Sequence, residues 1–197
     1  MQRKELEAAA FQITYLRGLI AVPAGLCAIL IGLGNLRWGV FAHDWIFVGA
    51  LALVLVAVLL ARRYYDANFG RATFARRQQR RFDIAAAVLS AVALMGGVLL
   101  DSSLDLPVSL FTICVALSML AWFAVTAQLS PHRIAGAGAL LIAGALPVWG
   151  GVSDPVSVAW LLIGLAVIII GLLDHAQLVR TYGSARRHDR QDSSVEA

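Results

Sequence analysis

The apolar residues of this chain gather into long runs whose interiors hold no Asp, Glu, Lys or Arg. Six such runs stand out: 16–34, 45–61, 84–100, 107–129, 134–149 and 155–173. About 20 apolar residues cross the hydrocarbon core of a bilayer as a helix. In lipid a spanning backbone must satisfy its own N–H and C=O groups, which single segments do as helices. Of the 197 residues 60% are hydrophobic and mean hydropathy is +0.78, where a soluble domain holds roughly 45–50% apolar residues. The expected fold class is all-α: a polytopic membrane helix bundle of six transmembrane helices, arranged as three helical hairpins.

Charge gives the orientation. The sixteen Lys and Arg residues, placed on a six-helix map, all fall on one side except Arg37. That side holds Arg3, Lys4, Arg17, the seven arginines of 62–83, Arg133, Arg180, Arg186, Arg187 and Arg190. Basic residues in short loops stay cytoplasmic, so both termini are expected in the cytoplasm of an inner or plasma membrane. The other side collects the acids Asp44, Asp101, Asp105 and Asp154. Five or seven spans would put basic groups on the wrong side. The net charge of +4 is then the sum of membrane anchors. No nucleic-acid-binding motif accompanies it, and nucleic acid is excluded as a partner. Cys27 and Cys114 lie inside apolar runs without metal-ligand spacing and read as small buried hydrophobes. A cleaved signal peptide is not expected, because the first apolar run is long enough to span and no Ala-x-Ala site follows it.

Residues 1–15 read as a cytoplasmic interfacial helix, with Leu6, Ala9, Ala10 and Ile13 sharing a face. Residues 16–180 form the six-helix domain with a basic cytoplasmic loop over 62–83, and 181–197 a polar cytoplasmic tail. Asp105–Leu110 and Asp154–Val158 resemble each other, each placing an acid and a proline where a helix should start. They read as two independent helix starts or as repeated hairpins.

The basic loop is the strongest candidate for a working surface. Arg62, Arg63, Arg71, Arg76, Arg77, Arg80 and Arg81 stand against Asp66 and Asp83, interleaved with Tyr64, Tyr65, Phe69, Phe74 and Phe82. Such a segment attracts anionic lipid headgroups at about 1 kcal/mol per charge. It reads either as a topological anchor or as a contact for anionic lipid or an acidic protein partner, with Gly70 expected to break it. Asp174 is a candidate structural ion pair, with an arginine of 62–81 as its expected partner. His175, adjacent to it, faces elsewhere on a helix. The fifth run carries Ala135, Ala139 and Ala143 at four-residue spacing beside Gly136 and Gly144. Small residues at that spacing let helices pack closely in lipid. The fifth helix is therefore expected to be central and least exposed to lipid, or else to form a homodimer seam.

Two segments, Arg62–Gly70 and Leu172–Arg180, resemble parts of a family of uncharacterised bacterial six-helix integral membrane proteins. The resemblance implies a bacterial inner membrane and no activity. The residues themselves supply no catalytic motif, no metal site and no cofactor site, and no ionisable group deep in a span of the kind that marks ion-coupled transport. The expectation is a non-enzymatic accessory, regulatory or scaffolding subunit, acting through its basic cytoplasmic face and the membrane plane on lipids, a protein partner or a second copy. The alternative is a small permease or channel for a neutral or apolar solute.

Overall fold

The computed structural model describes residues 16–69, 76–104, 106–126 and 128–182. The expected interfacial helix over 1–15, Gly70, Arg71 and most of the tail lie outside the described residues. The chain is all-α. Its helices are α1 (Ala21–Asn35), α2 (Asp44–Phe69), α3 (Arg76–Ser103), α4 (Leu110–Val125), α5 (Pro131–Ala145) and α6 (Pro155–Tyr182), with short 3₁₀ turns at Gly18–Ile20, Gly39–Ala42 and Trp149–Gly151. Among the described residues four segments are long and apolar enough to cross a membrane: Gly18–Asn35, Asp44–Asn68, Ile84–Ser103 and Pro155–Thr181. The other two helices, α4 and α5, are shorter, at 16 and 15 residues. At 1.5 Å per residue each is about 24 Å long or less, below the ~30 Å hydrocarbon thickness.

The expected loop over 62–83 is largely helix. Its first part continues α2 to Phe69 and its last part opens α3 at Arg76. Arginine is a good helix former, so the basic stretches on either side of 70–75 carry the flanking helices on.

Two acids at the opposite end from Arg17 and Asp174, Asp101 and Asp154, cap helices. Asp154 accepts from Ser157 N–H at 3.1 Å and from the Ser157 hydroxyl at 2.6 Å, starting α6 behind Pro155. At α4 the expectation needs correction. The helix starts at Leu110, not Pro107, with Ser109 as N-cap. Asp101, reaching over from the end of α3, accepts from Leu110 N–H at 2.5 Å and from Ser109 Oγ at 3.2 Å. A carboxylate on free N–H groups suits a helix N-terminus wherever it comes from in the sequence.

The most extensive packing joins α1 to α6. Gly18, Gly25 and Gly32 are seven residues apart, as are Ser157, Gly164 and Gly171, and they meet in antiparallel register: Gly18 with Gly171, Gly25 with Gly164, Gly32 with Ser157. A methyl placed on Gly25 would lie 2.6 Å from the Gly164 carbonyl oxygen, and one on Gly171 would lie 2.6 Å from that of Gly18. The two backbones touch directly, as small residues permit in lipid, and the seven-residue period keeps the seam in line along both helices.

The helix at the centre is thus α6, which packs on α1, α4 and α5, with α3 outside α4 and α2 outside α1. The expected central role of the fifth helix is corrected accordingly. Phe111, Val115 and Ala116 of α4, Leu140 of α5 and Ala159 and Ile163 of α6 form the buried core. At the far end, Ser109 N–H donates to Gly144 C=O at 2.9 Å and Trp149 N–H to Pro107 C=O at 3.1 Å, tying α4 to the end of α5.

Candidate functional site

The polar groups of interest gather at the end of the bundle where α6 passes beyond Leu173. Asp174 follows the apolar stretch of α6, and Arg133 sits in the first turn of α5 behind Pro131. A cation is poorly placed at a helix N-terminus, and here Asp174 offsets it. Arg133 Nη2 donates to Asp174 Oδ2 at 2.8 Å, and Nε donates to both carboxylate oxygens at 3.0 and 3.1 Å. His132 Nε2 lies 2.7 Å from Oδ1. Arg133 is 4% exposed and Asp174 6%. The guanidinium also donates through Nη1 to Gln128 Oε1 and stands 5.5 Å from the centre of the Phe123 ring. A buried pair needs such bidentate geometry and extra hydrogen bonds to offset its desolvation.

A second cluster adjoins it. Tyr65, fully buried near the end of α2, accepts from Leu19 N–H at 3.0 Å. Its hydroxyl lies 3.0 Å from His175 Nδ1. Arg17 reaches Asp66 at 3.4 Å and lies 5.7 Å from the Tyr65 ring centre. Adjacent residues of α6 therefore bind different neighbours: Asp174 holds α5, and His175 holds α2. Gly18 passes directly over Gly171 and Asp174, so the start of α1 closes the same end.

Beneath Arg133 and Asp174 lies a cavity of about 380 Å³. Its walls are apolar and come from α3, α4 and α6, with Ala21 of α1; Leu89, Trp122 and Val167 are typical. Gln128, Arg133 and Asp174 form its polar end. Ser90 of α3 lines it and is exposed, so the cavity reaches the outside of the bundle beside α3. Gln128 follows the end of α4, its N–H bonded to Phe123 C=O at 2.8 Å. Its side-chain nitrogen is buried and has no hydrogen-bond partner among the described residues.

No family model matches the chain, and neither a curated protein nor a solved structure matches it. The resemblance of Arg62–Gly70 and Leu172–Arg180 rests on those residues alone. The fold gives them something in common, since Tyr65 of the first binds His175 of the second.

Of the residues singled out from sequence, Asp174 is in an ion pair, and its partner among the described residues is Arg133 of α5. Arg62 and Arg63 are exposed on the last turns of α2. The backbones of Arg76, Arg77, Arg80 and Arg81 belong to the first turns of α3, and Arg71 lies outside the described residues. The small residues of α5 divide between two faces. Gly144 is buried against Thr112 and Ile113, and Gly136 faces Ile170. Ala135 and Ala139 are exposed and, with Ala143, line a groove of about 430 Å³ between α5 and α6. Sequence reasoning passed over Tyr65 as a packing residue, the His132–Arg133 pair, Gln128, and the seven-residue spacing of glycines in the first and last runs. Only the last carried a periodic signal that a search of four-residue spacings could not find.

Among the described residues no three His, Cys, Asp or Glu side chains gather as a metal site.

Proposed function

We propose that the protein is a non-enzymatic integral membrane protein of a bacterial inner membrane, with six spans and both termini in the cytoplasm. In this reading it is an accessory or regulatory subunit that meets lipid and partners through the membrane plane and its basic cytoplasmic end. The observation that carries the reading is the use made of its ionisable groups. Arg133, Asp174, His132, Tyr65 and His175 are bonded to one another or to backbone, and they join helices. Groups committed in this way hold a scaffold together. The orientation rests on the basic residues around this end. The peripheral α2, which exposes Leu53, Leu55, Leu59 and Leu60, supplies apolar surface to the membrane plane, and Arg62 and Arg63 lie where its last turns would meet anionic headgroups.

The permease alternative draws support from the cavity. A path across the membrane would need lining residues toward both ends of the bundle. The lining stops at Leu94, Val115 and Ile163, which favours a pocket over a path.

Reporter fusions at Asn35, Ser102 and Gly151 should face the periplasm, and fusions at Thr73, His132 and Ser184 the cytoplasm. An inverted signal in the middle of the chain overturns six spans. Changing Arg71, Arg76 and Arg77 to Gln should leave insertion intact and weaken binding to anionic vesicles, with the difference fading at high salt. Unchanged binding of vesicles and of copurifying protein would reduce the basic end to an anchor.

A further inference from the structure

We infer that the loop joining α1 to α2 is a binding surface for phospholipid headgroups in the leaflet opposite the basic end, with Arg37 taking a lipid phosphate and Trp38 and Trp45 lying at the glycerol level. This rests on the reading of the bundle as membrane-spanning.

The cation stands where the backbone favours glycine. Helix α1 ends in a paired turn: Trp38 N–H donates to Leu33 C=O at 3.1 Å, and Arg37 N–H to Gly34 C=O at 3.0 Å. That pattern puts the residue after the cap in the left-handed region, where glycine is usual because a Cβ crowds the following carbonyl. Arg37 takes that place with φ at 48°, the one non-glycine residue of positive φ among the described residues. Glycine would hold the turn with less strain, so the turn itself gives no reason for an arginine. The rest of the fold gives none either. Arg37 is exposed, and its side chain makes no hydrogen bond or ion pair among the described residues. Asp44, the nearest acid in sequence, is exposed in the first turn of α2 and does not pair with it. A guanidinium left open in this way suits a phosphate, which it can bind through two N–H groups.

The indoles decide where that phosphate comes from. Trp149, at the same end of the bundle, is buried, and its indole N–H donates to Ala143 C=O at 2.9 Å. Trp38 and Trp45 are 67% and 74% exposed, and neither indole has a hydrogen-bond partner among the described residues. A ring with an apolar body and an open N–H suits the zone between hydrocarbon and headgroup. The loop stays close to that zone, because it runs only from Asn35 to Asp44, between two segments apolar enough to cross a membrane. Val40, within the loop, is exposed as well. A free phosphate would leave these three side chains in water. A lipid phosphate brings with it the surface that covers them.

The test reads the loop locally, away from the arginines of the other end. The full chain, with photoreactive benzoylphenylalanine in place of Val40, is reconstituted into vesicles of equimolar phosphatidylglycerol and digalactosyl diacylglycerol of equal chain length. Flotation establishes insertion, and mass spectrometry identifies the lipid captured on illumination. The phosphate-bearing lipid should be captured roughly fivefold over the neutral one, the factor of one basic residue at a lipid surface. Arg37→Gln should bring the ratio to about one, since it removes that single contribution. Trp38→Ser with Trp45→Ser should lower capture of both lipids together. In a phosphate-free nonionic detergent Arg37→Gly should leave the thermal midpoint unchanged or raise it, by about 4 °C at most. A ratio near one in the parent chain, a ratio unmoved by Arg37→Gln, or capture undiminished without the two indoles overturns the inference. A lowered midpoint in Arg37→Gly also overturns it, because Arg37 would then serve the fold. A chain that floats without capturing lipid refutes the surface and leaves the membrane reading standing. A chain that does not float overturns both.

Discussion

Helix α1 has two neighbours, and it meets them on opposite plans. Against α6 it lays backbone on backbone at three levels, Gly18, Gly25 and Gly32, with no side chain between. Against α2 the contact is slighter. Among the described residues of α2 only Tyr65 is buried, and what holds it is a phenol bonded to Leu19 N–H and His175. For helices apolar enough to cross a membrane, the difference is the one lipid would impose. Apolar helices gain nothing from hiding in one another when the solvent is equally apolar, so association needs either close van der Waals approach or polar bonds. One side of α1 uses the first at every second turn of the seam, and the other uses the second at one end.

The comparison can be broken or sharpened by substitution, read as thermal or denaturant stability in detergent. The largest effect should come from the ion pair that secures the shared end. Asp174→Ala leaves a buried guanidinium unpaired and should cost about 3–5 kcal/mol. The double change Arg133→Met with Asp174→Leu should restore most of that loss. If it does not, the pair contributes more than mutual neutralisation, and the polar plan extends to α5.

Next comes the glycine seam. Gly164→Leu would drive a side chain into the Gly25 carbonyl and should cost about 3 kcal/mol, at the upper end of overpacking. Full stability in that variant would mean that α1 and α6 can part without loss, and the contrast between the two seams would fail.

Tyr65→Phe keeps the ring and removes the hydroxyl. It should cost about 1–3 kcal/mol, because the half-buried Leu19 N–H loses its acceptor. The loss should appear selectively as easier proteolysis or crosslinking of α2 away from α1, with α1–α6 crosslinks unchanged. Equal loosening of both seams would show that the phenol acts on the whole end of the bundle.

The smallest effect is expected on α2 itself. A side chain at Gly49 meets nothing within 4 Å, so Gly49→Leu should change stability by less than about 0.5 kcal/mol. A marked loss would reveal a partner on that face.

Much of this was legible from residues alone. Helix content follows from uncharged apolar runs, because lipid leaves the backbone of such a run few other ways to satisfy itself. An acid and a proline announced the start of α6, since Asp154 and Pro155 act within its own first turn. The cap on α4 was not legible, because Asp101 belongs to the preceding helix and reaches Leu110 only once α3 and α4 are side by side. The small residues of α5 were visible, but their division between a packed face at Gly136 and Gly144 and an open face at Ala135 and Ala139 was not. Spacing says which residues share a face, and the neighbours decide whether that face is covered.

By itself the sequence determined that the apolar runs would be helices, where α6 starts, and how basic and acidic residues divide between their ends. These are local matters of hydrogen bonding, hydropathy and charge. Only the tertiary structure decided which helices touch. It set Asp174 on Arg133, 41 residues away, and Tyr65 on His175, 110 residues away, and it left one buried amide of Gln128 at the head of an apolar cavity. Those pairings depend on how backbones dock, and docking in lipid is settled by the fit of small residues and by buried polar groups finding partners, neither of which is written in any single stretch of chain.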